Sequence, residues 1–370
     1  MTDLPRHNAT SAMAPPPEEP ARDTPPPTRR EQAKGWMQLV RLPMLLTAPG
    51  DSLAGAALAC LTFQLVHTCG GVGLSLLWPL ATISVLFYAG GLIHNDVVDV
   101  KRDAAERSDR PIPSGRVKKD HAVIAMFICM AGAMFLAWHL LPFLAFRVAG
   151  GLLLCIILYN ALKERSALLG ATLMGLCRAG NLILGIVALS AQHDELKACI
   201  LLDPTDAAAQ VSPIMPFQIP LVQGIVLFYF LYVAAVSLVA RHETSEAFTA
   251  NKTLSQRLFC LLPLGPVLGL TALFAIPLCD GGDTIVSEGV PQFAWIPLGL
   301  LVAATLWATI LFLRAKSPKQ LIPGVTLLLR NLLLIQTSII FLGGFGDAFL
   351  YCFAGAYVLH WILCRKFYAS

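Results

Sequence analysis

Long apolar runs separated by short polar connections fill the chain from about residue 43 to residue 364. They fall at roughly 43–66, 76–98, 120–140, 144–162, 168–190, 219–241, 257–278, 293–314, 321–343 and 346–364. As helices, runs of this length match a hydrocarbon core about 30 Å thick. No alternation of period two persists through them, and a segment in lipid must satisfy its own backbone donors and acceptors, so strands are not expected. The pattern predicts an all-α, polytopic membrane bundle of nine to ten transmembrane helices within residues 34–370. Residues 1–33 break it: Pro15, Pro16, Pro17, Pro20, Pro25, Pro26 and Pro27 stand among small and charged residues, with no apolar face to bury. That composition predicts a disordered tail, and with no apolar core after a basic start it does not read as a secretory signal.

Composition sharpens the picture. Of the 370 residues 56% are hydrophobic and 14% charged, whereas soluble chains carry about 25% charged residues. No soluble domain of ordinary size remains. A net charge of +4, spread over short loops, excludes the concentrated basic face of a nucleic-acid binder. The ten cysteines are scattered without a CxxC pair and read as small packing residues.

The basic residues also orient the bundle. All 27 lysines and arginines except Arg147, Arg178, Lys197 and Arg330 fall in the tail or in alternate connections, while the opposite loops carry Asp194, Glu195, Asp203, Asp206, Asp280, Asp283 and Glu288. The positive-inside rule then places both termini in the cytoplasm, with an even number of spans, in the cell (inner) membrane.

The chemistry-bearing residues collect at the end of the second run, Gly90-Gly91-Leu92-Ile93-His94-Asn95-Asp96-Val97-Val98-Asp99-Val100-Lys101-Arg102-Asp103. On a helix, Asp99, Asp103 and Asn95 lie about 60°, 20° and 100° from Asp96, so all four share a face. Carboxylates that close repel one another unless cations or metals intervene. Mg²⁺ takes one or two carboxylates and completes its octahedron with water and phosphate oxygens, so the face suits a metal-bridged diphosphate. A solvated helix end paired with Lys101, Arg102 and Arg107 is the competing reading. Directly afterwards, Asp109-Arg110-Pro111-Ile112-Pro113-Ser114-Gly115-Arg116 forms a proline-stiffened basic loop. Its arginines suit phosphate recognition beside metal-bound acids.

The string Asn95-Asp96-x-x-Asp99-x-x-x-Asp103, followed by Arg110-Pro111-Ile112-Pro113-Ser114-Gly115-Arg116, resembles the first signature of the UbiA superfamily of intramembrane prenyltransferases. Arg41-Leu42-Pro43 and Asp51-Ser52-Leu53-Ala54-Gly55 are similar to that family's first helix, and Tyr159-Asn160-Ala161-Leu162-Lys163 to its fourth. The resemblance runs from about residue 36 to 255 and more loosely beyond, making 34–370 a UbiA-like transmembrane domain. It implies a Mg²⁺-dependent transferase that moves a prenyl group from an isoprenyl diphosphate to an aromatic or other lipophilic acceptor within the membrane. It also implies that Asp96, Asp99 and Asp103 are metal ligands and that Asn95, Arg110, Arg116 and Lys163 bind substrate.

The family's second acidic motif reads Arg241-His242-Glu243-Thr244-Ser245-Glu246 here. His242 and Glu246 keep a four-residue spacing, while Glu243 and Glu246 supply two acids three residues apart; either pair shares a helical face. Glu243 and Glu246 are therefore expected to be catalytic metal ligands, and His242 to lie against substrate. Arg178 sits mid-span, where a cation must face the interior and meet an acid, an acceptor or a substrate anion. Two other readings stay open at this point: a non-catalytic relative that binds an isoprenoid lipid, and an ion-coupled transporter using the Asp96 to Asp103 face.

Overall fold

The computed structural model describes residues 27–63, 69–200, 220–241, 254–275, 295–342 and 347–368. Helix α1 (Arg29–Leu39) starts inside the segment that composition assigned to the tail. The reason is local: Thr28 accepts from the Glu31 amide while the Glu31 carboxylate accepts from the Thr28 amide, a reciprocal cap that satisfies two helix-end donors. At Arg41 the backbone takes the left-handed conformation, φ 46°, which is uncommon for a residue with a side chain. This bend separates α1 from the short α2 (Leu42–Leu45).

The bundle follows as α3 (Ala48–Phe63), α4 (Cys69–Val98), α5 (Val100–Glu106), α6 (Lys119–Leu140), α7 (Phe143–Leu162), α8 (Ala167–Ile200) and α9 (Pro220–Ala240). It continues with α10 (Leu254–Cys260), α11 (Leu264–Ala275), α12 (Trp295–Arg314), α13 (Ile322–Leu342) and α14 (Asp347–Tyr368). Eight helical stretches among the described residues, from Leu42–Leu61 to Lys319–Leu342, are long and apolar enough to cross a membrane. The two remaining sequence runs are helical over shorter or partly polar stretches. Within 257–278, residues Leu261, Leu262 and Pro263 form a turn between α10 and α11. Proline lacks the amide a continuous helix would need there. The last run lies in α14.

Helix α3 lies in the interior of the bundle. It packs against α8, α4 and α13, and Ala54, Ala56, Ala57, Leu58 and Ala59 are all fully buried. Small side chains let the backbones approach: a Cβ on Gly55 would overlap the Leu182 carbonyl of α8, and one on Gly185 would overlap the Ser52 carbonyl of α3. In lipid, where apolar surface alone does not drive helices together, such close packing supplies the attraction. Helices α6 and α7 turn a stripe of small residues inward, Ala122, Ala133, Ala137, Ala145 and Ala149. On their other sides they expose Phe127, Ile128, Phe135, Trp138 and Leu154, as a lipid-facing surface requires.

This packing makes a direct prediction. Gly185→Val should lower the thermal melting point of the detergent-solubilised protein, by an amount corresponding to about 1–3 kcal/mol of overpacking. Gly151→Ala, whose new Cβ would meet no heavy atom within 4 Å, should change it little. Size-exclusion chromatography after graded heating reads both, and equal melting would show that the α3–α8 contact is loose.

Candidate active site

The acidic face survives a break in its helix. Helix α4 ends at Val98 and α5 begins at Val100, yet the Asp99 amide donates to the Asn95 carbonyl at 3.0 Å and the Asp103 amide to the Asp99 carbonyl at 2.9 Å. These two bonds flank a gap in the i to i−4 ladder at Asp99, and the acids are kept together by side chains, Asn95 reaching both Asp96 and Asp99 and Arg110 reaching both Asp96 and Asp103. All three are buried, Asp103 to 2% exposure.

Cations surround them. Arg110 Nη1 lies 3.0 Å from Asp103 Oδ2 and 3.4 Å from Asp96 Oδ1, with Arg41 Nη2 3.6 Å from the latter oxygen. Lys163, one residue beyond α7, donates to Asp99 Oδ2 at 2.7 Å and to Asn95 Oδ1. Arg102 bridges Asp99 at 3.0 Å and Glu164 at 2.7 Å. Burial pulls the Lys163 ammonium below the ordinary lysine value, and its bond to Asp99 acts in the opposite direction. The Glu164 hydrogen bond raises Arg102.

The cluster opens into a cleft of about 740 Å³ lined by Asn95, Asp99, Asp103, Arg110, Lys163 and Arg241, among others. Ala240 also lines it, and Arg241 donates to the Lys163 carbonyl. The chain thus enters residues 242–246 from this wall. His242, Glu243 and Glu246 themselves lie outside the described residues.

Arg116 is engaged with its own loop and with α1. Gly115 adopts φ +73°, a conformation glycine takes without steric cost. Arg116 donates to Gln38 Oε1 of α1 at 2.6 Å, to Ser114 Oγ at 2.9 Å and to the Asp109 carbonyl. It fastens the loop to α1 and lines a side cavity with Asp96 and Arg110.

Arg178 lies deeper, apart from the acidic cluster. Its Nη1 donates to Asp51 Oδ2 at 2.8 Å and its Nη2 to Thr47 Oγ1 at 2.7 Å, with the guanidinium 4.6 Å from the Tyr88 ring centroid. Asp51 also accepts from Asn181 at 3.4 Å, from Gln336 at 2.6 Å and from the Tyr229 hydroxyl. Gly50 makes room for this, since a Cβ there would overlap the Gln336 amide. An apolar pocket separates this network from the acids above. Phe87, Tyr88, Leu92, Leu152, Ile156 and Met174 line it, together with Asn95 and Asn160. Sequence reasoning required an acid, an acceptor or a substrate anion for Arg178 without choosing Asp51, and it gave no role to Arg41, Asn160 and Asn181. The Arg41-Leu42-Pro43 and Asp51-Ser52 strings were the available signals.

Among the described residues no three His, Cys, Asp or Glu side chains are grouped so as to hold a metal ion. Asp99 and Asp103 on the edge of the cleft, with Asp96 close by, offer hard oxygen donors of the kind that suit Mg²⁺, which leaves much of its shell to water and phosphate, rather than a metal needing an all-protein tetrahedron.

Comparison with known proteins agrees with this architecture. Residues 53–330 match the UbiA prenyltransferase family, so the chain belongs to that family. It is an integral membrane protein. A digeranylgeranylglyceryl phosphate synthase from Saccharolobus solfataricus is 36% identical over 98 residues, which are 26% of this chain and 32% of the relative. The match therefore spans about a third of that curated relative. Two solved structures share the fold at 15% identity. One comes from work on the biosynthesis of digeranylgeranylglyceryl phosphate synthase in membranes, with TM-score 0.54 over 85% of this chain and 99% of that one. The other is the apo form of a UbiA homolog from Aeropyrum pernix K1, with TM-score 0.55 over 78% and 96%.

The buried pair yields a second prediction. Asp51→Ala strands the Arg178 charge inside the bundle and should cost on the order of 3–5 kcal/mol, as should Arg178→Met, because breaking a buried pair leaves one charge uncompensated. The double variant should lose much less than the sum. Denaturation of all four proteins in mixed micelles measures the coupling; additive losses would mean that the two side chains act independently.

Proposed function

We propose that this protein transfers a prenyl group from an isoprenyl diphosphate to a lipophilic acceptor inside the membrane. The observation that carries the reading is the juxtaposition of Asp99 and Asp103 with Arg110 and Lys163 around one cleft at the end of an apolar bundle, with Asp96 beside Arg110. A diphosphate needs cations, its isoprenoid needs hydrocarbon, and this cleft borders both.

Lys163 and Arg110 would shift from their carboxylates to the phosphate oxygens, Arg110 with the geometric fit that a guanidinium has for phosphate. Asp96, Asp99 and Asp103, so freed, would hold Mg²⁺ together with Glu243 and Glu246, and His242 would meet the substrate. Bound there, Mg²⁺ supplies Lewis-acid neutralisation of the diphosphate. The allylic carbon–oxygen bond breaks with its electron pair leaving on the diphosphate. The acceptor forms the new bond to that carbon and gives up a proton. Phe87, Tyr88 and Tyr159 line the adjoining pocket, and aromatic rings suit a cationic centre, as the Arg178 guanidinium over the Tyr88 ring illustrates. Arg116 acts through the loop it fastens, and Arg178 through the floor of that pocket.

The distribution of basic residues supports a cytoplasmic location for this cleft and for both termini in the cell (inner) membrane. A reporter active only outside the cytoplasm, fused after Ser370, should stay silent; activity would reverse the orientation.

Holding a diphosphate and expelling it place different demands on the site. Asp99→Asn removes a metal ligand that helps most as charge develops on the leaving group, and also removes a negative charge that opposes the substrate in the ground state. With a radiolabelled isoprenyl diphosphate, wild type should release diphosphate in a Mg²⁺-dependent way. The variant should bind within about threefold of wild type and turn over at least about a hundredfold more slowly. Binding without release in wild type, with every acceptor tried, would favour an isoprenoid-binding protein without catalysis.

A further inference from the structure

Among the described residues, Arg330 of α13 and Arg365 of α14 have no carboxylate paired with them. Arg330 is half-buried. Its Nε donates to His360 Nδ1 of α14 at 3.3 Å, and its guanidinium lies 5.5 Å from the Tyr357 ring centroid. An imidazole nitrogen that accepts carries no proton, so His360 is a neutral partner and leaves the charge on Arg330 unmatched. Arg365 stacks 3.8 Å from the Trp361 ring centroid. A cation on an apolar helix is expensive unless it meets an anion or reaches the headgroup level.

Both arginines continue one groove between α12, α13 and α14. Its floor on α13 is Leu333, Leu334 and Thr337, and Arg330 stands three, four and seven residues before them, on the same helical face. Its wall on α14 is Ala354, Tyr357 and Val358; Trp361 and Arg365 prolong that stripe at the same helical spacing. Leu300 and Ala303 of α12 close the third side. The floor is buried while Leu300 and Val358 are exposed, so the groove, of about 420 Å³, opens toward lipid. From Ala354 to Arg365 the stripe runs about 16 Å, close to one leaflet of a hydrocarbon core about 30 Å thick. The charged end lies toward the start of α13, whose Ile322 lines the acidic cleft, and Trp361 there is a residue suited to the border between hydrocarbon and headgroups.

We propose that this groove binds an anionic phospholipid from the leaflet nearest the cleft, with its phosphate on Arg330 and Arg365 and one acyl chain along α13 and α14. Charge selects the occupant. An uncharged lipid would fill the groove but leave both guanidinium groups unmatched, whereas one phosphate accepts from two arginines at once. Basic pockets between membrane helices recognise such headgroups. The site is separate from the acidic cleft: Leu329 lines the cleft, while Arg330, next in sequence, turns to α14. The proposal therefore stands whatever the cleft transfers.

Photo-labelling tests it. Phosphatidylglycerol and phosphatidylcholine probes with identical diazirine-bearing acyl chains are each placed at low mole fraction in phosphatidylcholine nanodiscs holding the full chain, and labelled peptides are identified by mass spectrometry. In wild type the phosphatidylglycerol probe should label residues 296–304 and 333–337 at least about fivefold more than its partner. Arg330→Gln combined with Arg365→Gln should bring the two probes within about twofold of each other. Ala303→Trp, a change at an exposed position that fills the groove and keeps both arginines, should lower labelling by both. Equal labelling of the groove by the two probes in wild type would overturn the proposal without recourse to any variant. So would an undiminished preference in the double glutamine variant or unchanged labelling in Ala303→Trp. Labelling displaced by an isoprenyl diphosphate but not by excess unlabelled phosphatidylglycerol would overturn it too, and would make the groove a second diphosphate site.

Discussion

One carboxylate ties the interior of this bundle together. Asp51 on α3 accepts from Arg178 and Asn181 on α8, from Tyr229 on α9 and from Gln336 on α13. No single bond among these would justify the expense of placing a carboxylate and a guanidinium inside a membrane protein. Together they satisfy both oxygens and draw four helices to a common point. Such a network is stable only when complete, because each missing donor exposes a buried charge. The glycines at 50, 55 and 185 follow from it, since they let the helices and Gln336 come close enough for the network to close.

That closure divides the polar interior into two regions of different character. Around Asp51 the charges cancel and the groups are largely committed. At the end of α4, by contrast, Asp96, Asp99 and Asp103 are held by long basic side chains from the loop, from α5 and from just beyond α7. Those partners can exchange a carboxylate for a phosphate without unravelling a helix. The deep network thus serves as the scaffold and the shallow one as the exchangeable site, with an apolar pocket between them. Family membership and the shared fold accord with this division, while the chemistry proposed for it rests on the side chains themselves.

Much of this was readable from the chain. The helical bundle follows from run length, and the Asp96, Asp99 and Asp103 cluster follows from spacing, held together across the Asp99 break by Asn95 and Arg110. What the sequence withheld depends on contacts between distant segments. Arg178 announced the need for an acid, an acceptor or an anion, but Asp51 stands 127 positions away and no local pattern joins them. Arg116 looked equivalent to Arg110, yet the turn at Gly115 sends it to Gln38. Asn160 sits in a recognisable string beside Lys163, but its free oxygen appears only once Gly91, His94 and Ile156 are seen to engage the other end of the amide. The run at 257–278 is apolar throughout its middle, and the turn ending at Pro263 divides it where hydropathy gives no warning.

The central claim is that the basic side chains now paired with the α4 and α5 acids are there to receive a diphosphate. A structure of the full chain with Mg²⁺ and a non-reactive thiolodiphosphate analogue of an isoprenyl diphosphate tests it most directly. The account predicts phosphate oxygens in contact with Lys163 and Arg110, the Lys163–Asp99 distance lengthened, and the isoprenoid leaving the cleft along apolar walls. A diphosphate bound elsewhere, or an analogue in the cleft with the Lys163–Asp99 and Arg110–Asp103 pairs unchanged, would contradict it.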